Sequence, residues 1–135
     1  MTETDNIADK QRFFLGKKER LCSEKEIELL FSSGERFIAF PLQVVYRLTD
    51  KRETAASVLF SVSKKRFKRA VHRNRIKRLM RERFRLNKHP LYDLLENKEM
   101  SISVAFIFVD KEPPDYFLVE KGMLKGIAKL MERLQ

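Results

Sequence analysis

The chain has 135 residues, of which 43% are apolar and 36% charged, and its formal net charge is +10 at pH 7. A chain of this length predicts one domain with a core of its own, and its 11 Phe argue against a disordered basic tail. No apolar run approaches the ~20 residues that a membrane span requires, and the acidic start of the chain is unlike a signal peptide.

Residues 1–16 predict a flexible N-terminal segment, and residues 17–135 a single folded domain. The adjacent Phe13 and Phe14 fit either the edge of a core or a contact platform for bases. Cys22 is the one cysteine of the chain. It excludes an internal disulfide and favours a reducing compartment, with the cytoplasm as the expected location.

Helix signals begin at Ser23, which forms a capping-box pattern with Glu26, and end at Gly34, a residue suited to a left-handed C-cap. A helix over this stretch places Ile27 and Phe31 on one apolar face. That face predicts a contact with the core.

Two extended stretches follow, over 36–48 and 55–62, and the polar turn between them predicts a hairpin. Pro41 cannot donate to a strand ladder, so it marks a break or an edge position. The stretch 101–109 becomes uniformly apolar along its length, as a buried central strand would be.

A long basic helix is predicted before that central strand, ending at His89-Pro90 and followed by a short apolar turn over 91–95. A last helix begins after Pro114-Asp115 and carries an apolar stripe as far as Leu134. Together these elements predict one α+β domain with helices packed on a small sheet.

The positive charge is concentrated in residues 64–85, which hold 12 Lys and Arg and a single acid, Glu82. The stretch carries +11, and because the whole chain carries +10, the remainder is close to neutral. On a helix, Ile76, Met80 and Phe84 share one face with Leu79, and the cations occupy the opposite face.

This charged face predicts a polyanionic partner. Like charges at positions four apart repel one another and destabilise a helix, and a solvated face usually mixes both signs. A nucleic acid or an anionic membrane surface would neutralise the cations.

Catalytic chemistry is nearly absent from the sequence. His72 and His89 are the only histidines, and neither has a Cys or paired acids at ligand spacing. Cys22 has no placed histidine partner and predicts a passive thiol. No Gly-rich phosphate loop or metal-ligand cluster is present, so the residues alone predict a nucleic-acid binder rather than a catalyst.

Residues 61–82 carry a family resemblance. Ser61-Val62-Ser63-Lys64-Lys65, Ala70-Val71, Arg73-Asn74-Arg75-Ile76-Lys77-Arg78 and Arg81-Glu82 follow one another in this order. This pattern resembles the signature of bacterial ribonuclease P protein subunits. Weaker likeness covers most of the chain from Lys17 onward.

The resemblance implies an αβββαβα sandwich of the ribosomal protein S5 domain 2-like type, with a four-stranded mixed sheet and an unusual left-handed βαβ crossover. It also implies that the RNA subunit of ribonuclease P, an endoribonuclease, performs the hydrolysis with Mg²⁺ held mainly by RNA and substrate. The protein would bind this catalytic RNA and the 5′ leader of precursor tRNA, with no catalytic or metal-binding residue, no membrane contact and no obligate protein partner.

The resemblance also assigns residues to these two partners. The leader would bind in a cleft between the first helix and the sheet, where Phe31 matches a cleft aromatic and Ile27 stands one turn before it. The cations of the signature and of the loop that precedes it would bind the catalytic RNA, together with one amide side chain: Lys64, Lys65, Arg66, Lys68, Arg69, Arg73, Asn74, Arg75, Lys77, Arg78 and Arg81.

The chain departs from the family pattern at three places. Four residues, 66–69, separate the lysine pair from Ala70, where three including a Gly are more common. Leu59 stands where a Gly is frequent. Ile27 stands where an aromatic residue is usual, and Ile cannot stack on a base as Phe does.

Two other classes share the basic helix. A ribosomal-protein-like RNA-binding module would have no role in tRNA processing. A DNA-binding protein would place the helix in a major groove, although positions for a dimeric half-site are not evident.

Overall fold

The computed structural model describes residues 15–135, which fold in the order αβββααβα after a short 3-10 turn at Lys17–Glu19. The helices and strands have the following bounds: α1 Glu24–Ser33, β1 Glu35–Ala39, β2 Leu42–Asp50, β3 Ala56–Val62, α2 Ala70–Asn87, α3 His89–Lys98, β4 Met100–Phe108 and α4 Tyr116–Leu134. Phe13, Phe14 and most of the expected flexible segment lie outside the described residues. Leu15 packs against the core.

The four strands form one mixed sheet in the order β1-β2-β4-β3. The β1–β2 and β2–β4 pairs are antiparallel and the β3–β4 pair is parallel. The predicted α+β class and the four-stranded mixed sheet are therefore confirmed. The parallel pair is connected through α2 and α3, and the left-handed path that the resemblance implies for this connection stays a prediction.

The predicted hairpin between the stretches 36–48 and 55–62 is wrong, because β4 lies between β2 and β3 in the sheet. Ser101 at the start of β4 explains the connection. Its buried hydroxyl accepts a hydrogen bond from the Arg52 amide at 2.9 Å and donates to the Thr54 carbonyl at 2.8 Å. The polar turn thus crosses the end of β4 instead of closing a hairpin.

Residues 89–98 form a helix of three turns rather than the short apolar turn predicted for 91–95. Pro90 lies in the first turn of α3, where its missing N–H costs no intrahelical hydrogen bond. The His89-Pro90 pair therefore starts a new helix as well as ending the basic one. The apolar side chains of Leu91 and Leu95 are fully buried.

Alternation along the strands gives the sheet two apolar faces. Val44 and Phe106 point to the main core, to which α2, α3 and α4 contribute side chains. Val45 and Ala105 belong to a second, smaller cluster with Leu30 of α1. The central strand β4 is buried along nearly its whole length, as its apolar sequence predicted.

Gly34 ends α1 as predicted, but for a different reason. Its φ of −77° and ψ of 156° are extended rather than left-handed. A Cβ at this position would collide with the carbonyl oxygen of Leu30 and lie 2.9 Å from that of Tyr46. Close approach of two backbone segments, not a positive φ, therefore favours glycine here. At the other end, Ser23 Oγ accepts from the Glu26 amide at 3.4 Å, which is one half of the predicted capping box.

A buried charged group connects the N-terminal turn to the helices. Lys88, between α2 and α3, is only 2% exposed, and its Nζ donates to Glu19 Oε2 at 2.8 Å. The Tyr92 hydroxyl donates to the same carboxylate oxygen at 2.5 Å. Burial, and then this hydrogen bond, raise the pKa of Tyr92 above its ordinary value.

Among residues 15–135, none of the helices combines the length and the apolar composition that a membrane-spanning helix requires.

Two glycines of α4 give a matched test of the packing between this helix and the β1–β2 turn. We expect Gly122→Ala to lower the free energy of unfolding by about 1–3 kcal/mol. Its Cβ would lie 2.8 Å from Pro41 Cδ and 3.0 Å from two backbone oxygens. Gly126→Ala meets only ordinary contacts of 3.4 Å or more. It should therefore gain up to about 1 kcal/mol from helix propensity. Urea unfolding measures both changes, and equal effects would contradict the close packing at Gly122.

Candidate nucleic-acid interface

The loop over residues 63–69 is held in place by one apolar side chain. Phe67 is buried, and its ring centroid lies 5.8 Å from that of Phe108 in β4. Its amide donates to the Ser63 carbonyl at 3.1 Å, which closes a turn. The predicted site residues of this loop are exposed around that anchor: Lys64, Lys65, Arg66, Lys68 and Arg69.

Helix α2 begins directly after this loop, with Arg69 at its N-cap. The cap has no side-chain hydrogen bond, and the first turn contains no acidic residue. The amides and the partial positive charge of this helix end are therefore not offset locally, which favours an anion nearby.

Arg73 has a structural role that was not anticipated from the sequence. Its Nη1 donates to the carbonyl oxygens of Phe67 and Lys68, both at 2.8 Å. The side chain is only partly exposed. It reaches back from α2 and fixes the path of the 63–69 loop, which the sequence alone left open.

The remaining predicted residues of α2 differ in exposure. Asn74, Arg75 and Arg78 are exposed, whereas Lys77 and Arg81 are half-buried. The guanidinium of Arg81 lies 6.0 Å from the ring centroid of Phe60 in β3. The fully exposed part of the cationic face of α2 is therefore narrower than the helix pattern alone indicates. We call the exposed and half-exposed cations of the loop and helix the cationic surface: Lys64, Lys65, Arg66, Lys68, Arg69, Arg75, Lys77, Arg78 and Arg81.

The pattern of ion pairs separates this surface from other cations. Within the described part of the chain, no carboxylate lies within 4.0 Å of any cation of the cationic surface. Further along α2, Arg83 pairs with Glu120 at 3.1 Å and Arg85 with Glu82 at 2.8 Å. The hydrogen bond from Arg85 is the main cause that lowers the pKa of Glu82. Arg83 and Arg85, in the C-terminal part of α2, thus have acidic partners. The cations nearest the loop have none among residues 15–135.

The residues assigned to the leader cleft lie on the other face of the sheet, and the cleft itself stays a prediction. Ile27 and Phe31 of α1 are half-buried and pack against a small apolar cluster that includes Val45. Leu59 and Ile107 pack against the same cluster and are also partly exposed. The structure therefore brings Ile27 and Phe31 together at the edge of an apolar floor, far along the chain from the cationic surface.

Two residues alter the expected character of this cleft. Leu59 fills part of its floor with a side chain where the family pattern often has none. Arg36 of β1 donates to the Phe31 carbonyl at 2.7 Å, and its guanidinium lies 5.8 Å from the Phe31 ring centroid. Arg36 thereby places a cation directly beside the ring of Phe31. Sequence reasoning missed it, because its link to Phe31 depends on the turn at Gly34.

The described residues do not form a site for a metal ion. No three His, Cys, Asp or Glu side chains lie close enough to hold a metal ion in that range. His72 is exposed beside the cationic surface, and Cys22 is exposed as a free thiol. The arrangement is suited to binding anions.

Comparisons with known proteins agree on one family. Residues 15–130 match the family model described as Ribonuclease P. The chain is 47% identical over 119 residues to the ribonuclease P protein component of Porphyromonas gingivalis, covering 87% of each chain. Its fold is similar to the ribonuclease P proteins of Thermotoga maritima (TM-score 0.63, 23% identity, 82% of this chain and 96% of that one) and Staphylococcus aureus (TM-score 0.62, 19% identity, 88% and 100%).

Neighbouring arginines of α2 should separate folding from binding. We expect Arg73→Ala to lower the free energy of unfolding by about 1–3 kcal/mol, since two charge-assisted hydrogen bonds to the loop are lost. Arg75→Ala, two residues away and exposed, should change it by less than about 0.5 kcal/mol. Chemical unfolding of the two variants checks this, and equal stabilities would contradict the structural role of Arg73.

Proposed function

The chain belongs to the family of ribonuclease P protein components, and from this we propose that it contacts two RNAs through two separate surfaces. The cationic surface, with Asn74 and Arg73, binds the catalytic RNA of ribonuclease P. The cleft between α1 and the sheet binds the 5′ leader of precursor tRNA. The assembled ribonucleoprotein removes that leader, and the protein works in the cytoplasm.

The absence of ion pairs on the cationic surface is the observation that carries this proposal. Nine cations lie in one loop and on one side of one helix with no carboxylate of residues 15–135 within 4.0 Å. Their mutual repulsion is a cost to the free protein that a polyanion removes. Phosphates supply that charge, and binding them releases condensed counterions.

The leader cleft has a different chemistry, which supports a separate partner. Its floor is apolar, and Phe31 offers a half-exposed aromatic ring to a single-stranded nucleotide. Arg36 next to this ring can pair with a backbone phosphate. A flexible single strand such as a leader suits an apolar cleft with few cations better than a folded RNA helix does.

Catalysis is assigned to the RNA in this proposal. The Mg²⁺ ions of the reaction are held mainly by the RNA subunit and the substrate in this proposal, and within residues 15–135 no three His, Cys, Asp or Glu side chains form a metal site. The protein contributes binding energy and orientation, which lower the concentration of magnesium that the reaction needs.

Reconstitution tests the proposed function. We expect the protein to stimulate cleavage of precursor tRNA by bacterial catalytic RNA at low magnesium, because protein cations replace part of the ionic screening. The protein alone, free of RNA, should not cleave at any magnesium concentration. Gel analysis of the released leader measures both. No stimulation, or sustained cleavage by the protein alone, would refute the proposal.

Phe31→Ala tests the cleft separately. If the ring stacks on a leader base, a contribution of about 1–3 kcal/mol is lost, so the holoenzyme should bind precursor tRNA about fivefold to a hundredfold more weakly. Binding of mature tRNA should stay nearly unchanged. Phe117→Ala is the matched control, since Phe117 is 77% exposed at the start of α4.

Thermal melting of Phe31→Ala distinguishes a cleft residue from a core residue. Because Phe31 is half-buried, the loss of stability should stay well below the ~3–5 kcal/mol typical of a buried Phe. A large drop in melting temperature, or equal weakening for both tRNAs, would rule out the cleft assignment.

A further inference from the structure

A groove with a volume of about 620 Å³ runs along α2 beside the segment that leads into α4. We call it the α2 groove. Its lining is mainly apolar on both sides: Phe67, Ile76 and Leu79 on one, and Pro113, Pro114 and Tyr116 on the other. A volume of 300–1,000 Å³ is typical of sites for small ligands, and this groove adjoins the cationic surface.

The net charge of the groove comes from two arginines. Arg75 and Arg78 line it and belong to the cationic surface. Arg83 also lines it, but its charge is matched by Glu120 at 3.1 Å. Glu82 is the one acid among the lining residues. These charges therefore favour an anionic group near Arg75 and Arg78 and an uncharged group near Glu82.

Tyr116 provides an aromatic wall that is held in position. The guanidinium of Arg83 lies 4.3 Å from the centroid of its ring and donates to its hydroxyl. The adjacent ring of Phe117 meets it edge-on at 5.5 Å. Even so, Tyr116 is 47% exposed. Its side chain is thus pre-positioned and still available to a ligand.

We propose that the α2 groove takes one unstacked nucleotide of the catalytic RNA. Its base lies between Tyr116 and Leu79, and its phosphates lie on Arg75 and Arg78. The inference rests on the proposed function and adds a second kind of contact to it. Insertion of a base requires an apolar groove and an aromatic side chain, whereas phosphate binding requires neither.

Charge complementarity and shape favour this occupant. A phosphate alone would leave the apolar floor of Ile76 and Leu79 unused, and an apolar peptide would leave Arg75 and Arg78 unpaired. A nucleotide has an aromatic base and an anionic group on the same unit and satisfies both. The groove is open to solvent, so a nucleotide can enter while it remains part of a chain.

The affinity of the full-length protein for the catalytic RNA tests the proposal. Tyr116→Ala should weaken binding about fivefold to a hundredfold, with no change in the dependence of affinity on salt, because no phosphate contact is lost. Tyr116→Phe returns the ring and should recover most of that affinity. Leu124→Ala removes a partly exposed apolar side chain of α4 that lies outside the groove lining and should bind as the wild type does.

If Tyr116→Ala binds the catalytic RNA as tightly as the wild type does, or if Leu124→Ala loses as much affinity as Tyr116→Ala, the inference is overturned. Failure of the wild-type protein itself to bind the catalytic RNA would instead refute the proposed function. The two failures are therefore distinguishable in one set of titrations.

A second measurement needs no variant and so does not depend on how Tyr116→Ala folds. In NMR titrations of the free protein, adenosine 5′-monophosphate should shift the methyl signals of Ile76 and Leu79. Ribose 5-phosphate, which has the phosphate but no base, should leave them in place. Equal shifts from the two compounds, or none from the nucleotide, would overturn base insertion.

Discussion

The central strand β4 is the constraint from which the rest of the structure follows. Apart from Ser101 and Ser103 its residues are apolar, and almost all of them are buried, so both faces of the sheet must be covered. Helices α2, α3 and α4 cover one face, and α1 covers part of the other. This arrangement buries the apolar side of α2 and turns its cations outward. On the other face, Leu59 and Ile107 stay partly exposed beside the small cluster under α1.

The two exposed regions that result have opposite characters. One is the cationic surface, whose cations have no carboxylate of residues 15–135 within 4.0 Å and whose loop Phe67 and Arg73 hold in place. The other is the apolar region beside α1, where Phe31 is half-buried next to Arg36. A structured polyanion fits the first and a flexible single strand fits the second. The proposed function assigns one partner to each region, and membership in the ribonuclease P protein family favours it over the ribosomal-protein-like module and the DNA-binding protein.

Local patterns predicted the elements better than their contacts. The apolar run over 104–109 was enough to predict a central strand, because a strand buried on both faces is apolar at most of its positions. The polar turn after β2 could not predict its partner, since turn residues specify a change of direction and not which strand lies alongside. Pro90 was ambiguous for a related reason, because the same residue that ends one helix is well suited to the first turn of another.

The candidate site shows the same limit. The cations and the ribonuclease P signature could be found in the sequence, and so could the apolar face of α1 that includes Phe31. The role of Phe31 as a cleft aromatic stays a prediction. The loop-fixing role of Arg73, the position of Arg36 over Phe31 and the groove between Leu79 and Tyr116 could not be found. Each depends on side chains or backbone groups that come together only when the chain folds.

The salt dependence of affinity for the catalytic RNA tests the central claim, that unpaired cations of the loop and α2 bind phosphates. The logarithm of the binding constant falls linearly with the logarithm of salt concentration, by roughly 0.7–0.9 per phosphate contact. The account predicts that the double variant Arg75→Ala, Arg78→Ala reduces this slope by about 1.4–1.8 and keeps the melting temperature of the wild type. Arg52→Ala, which removes a cation already paired with Glu26 at 3.0 Å, should leave the slope unchanged. An unchanged slope in the folded double variant would contradict the account.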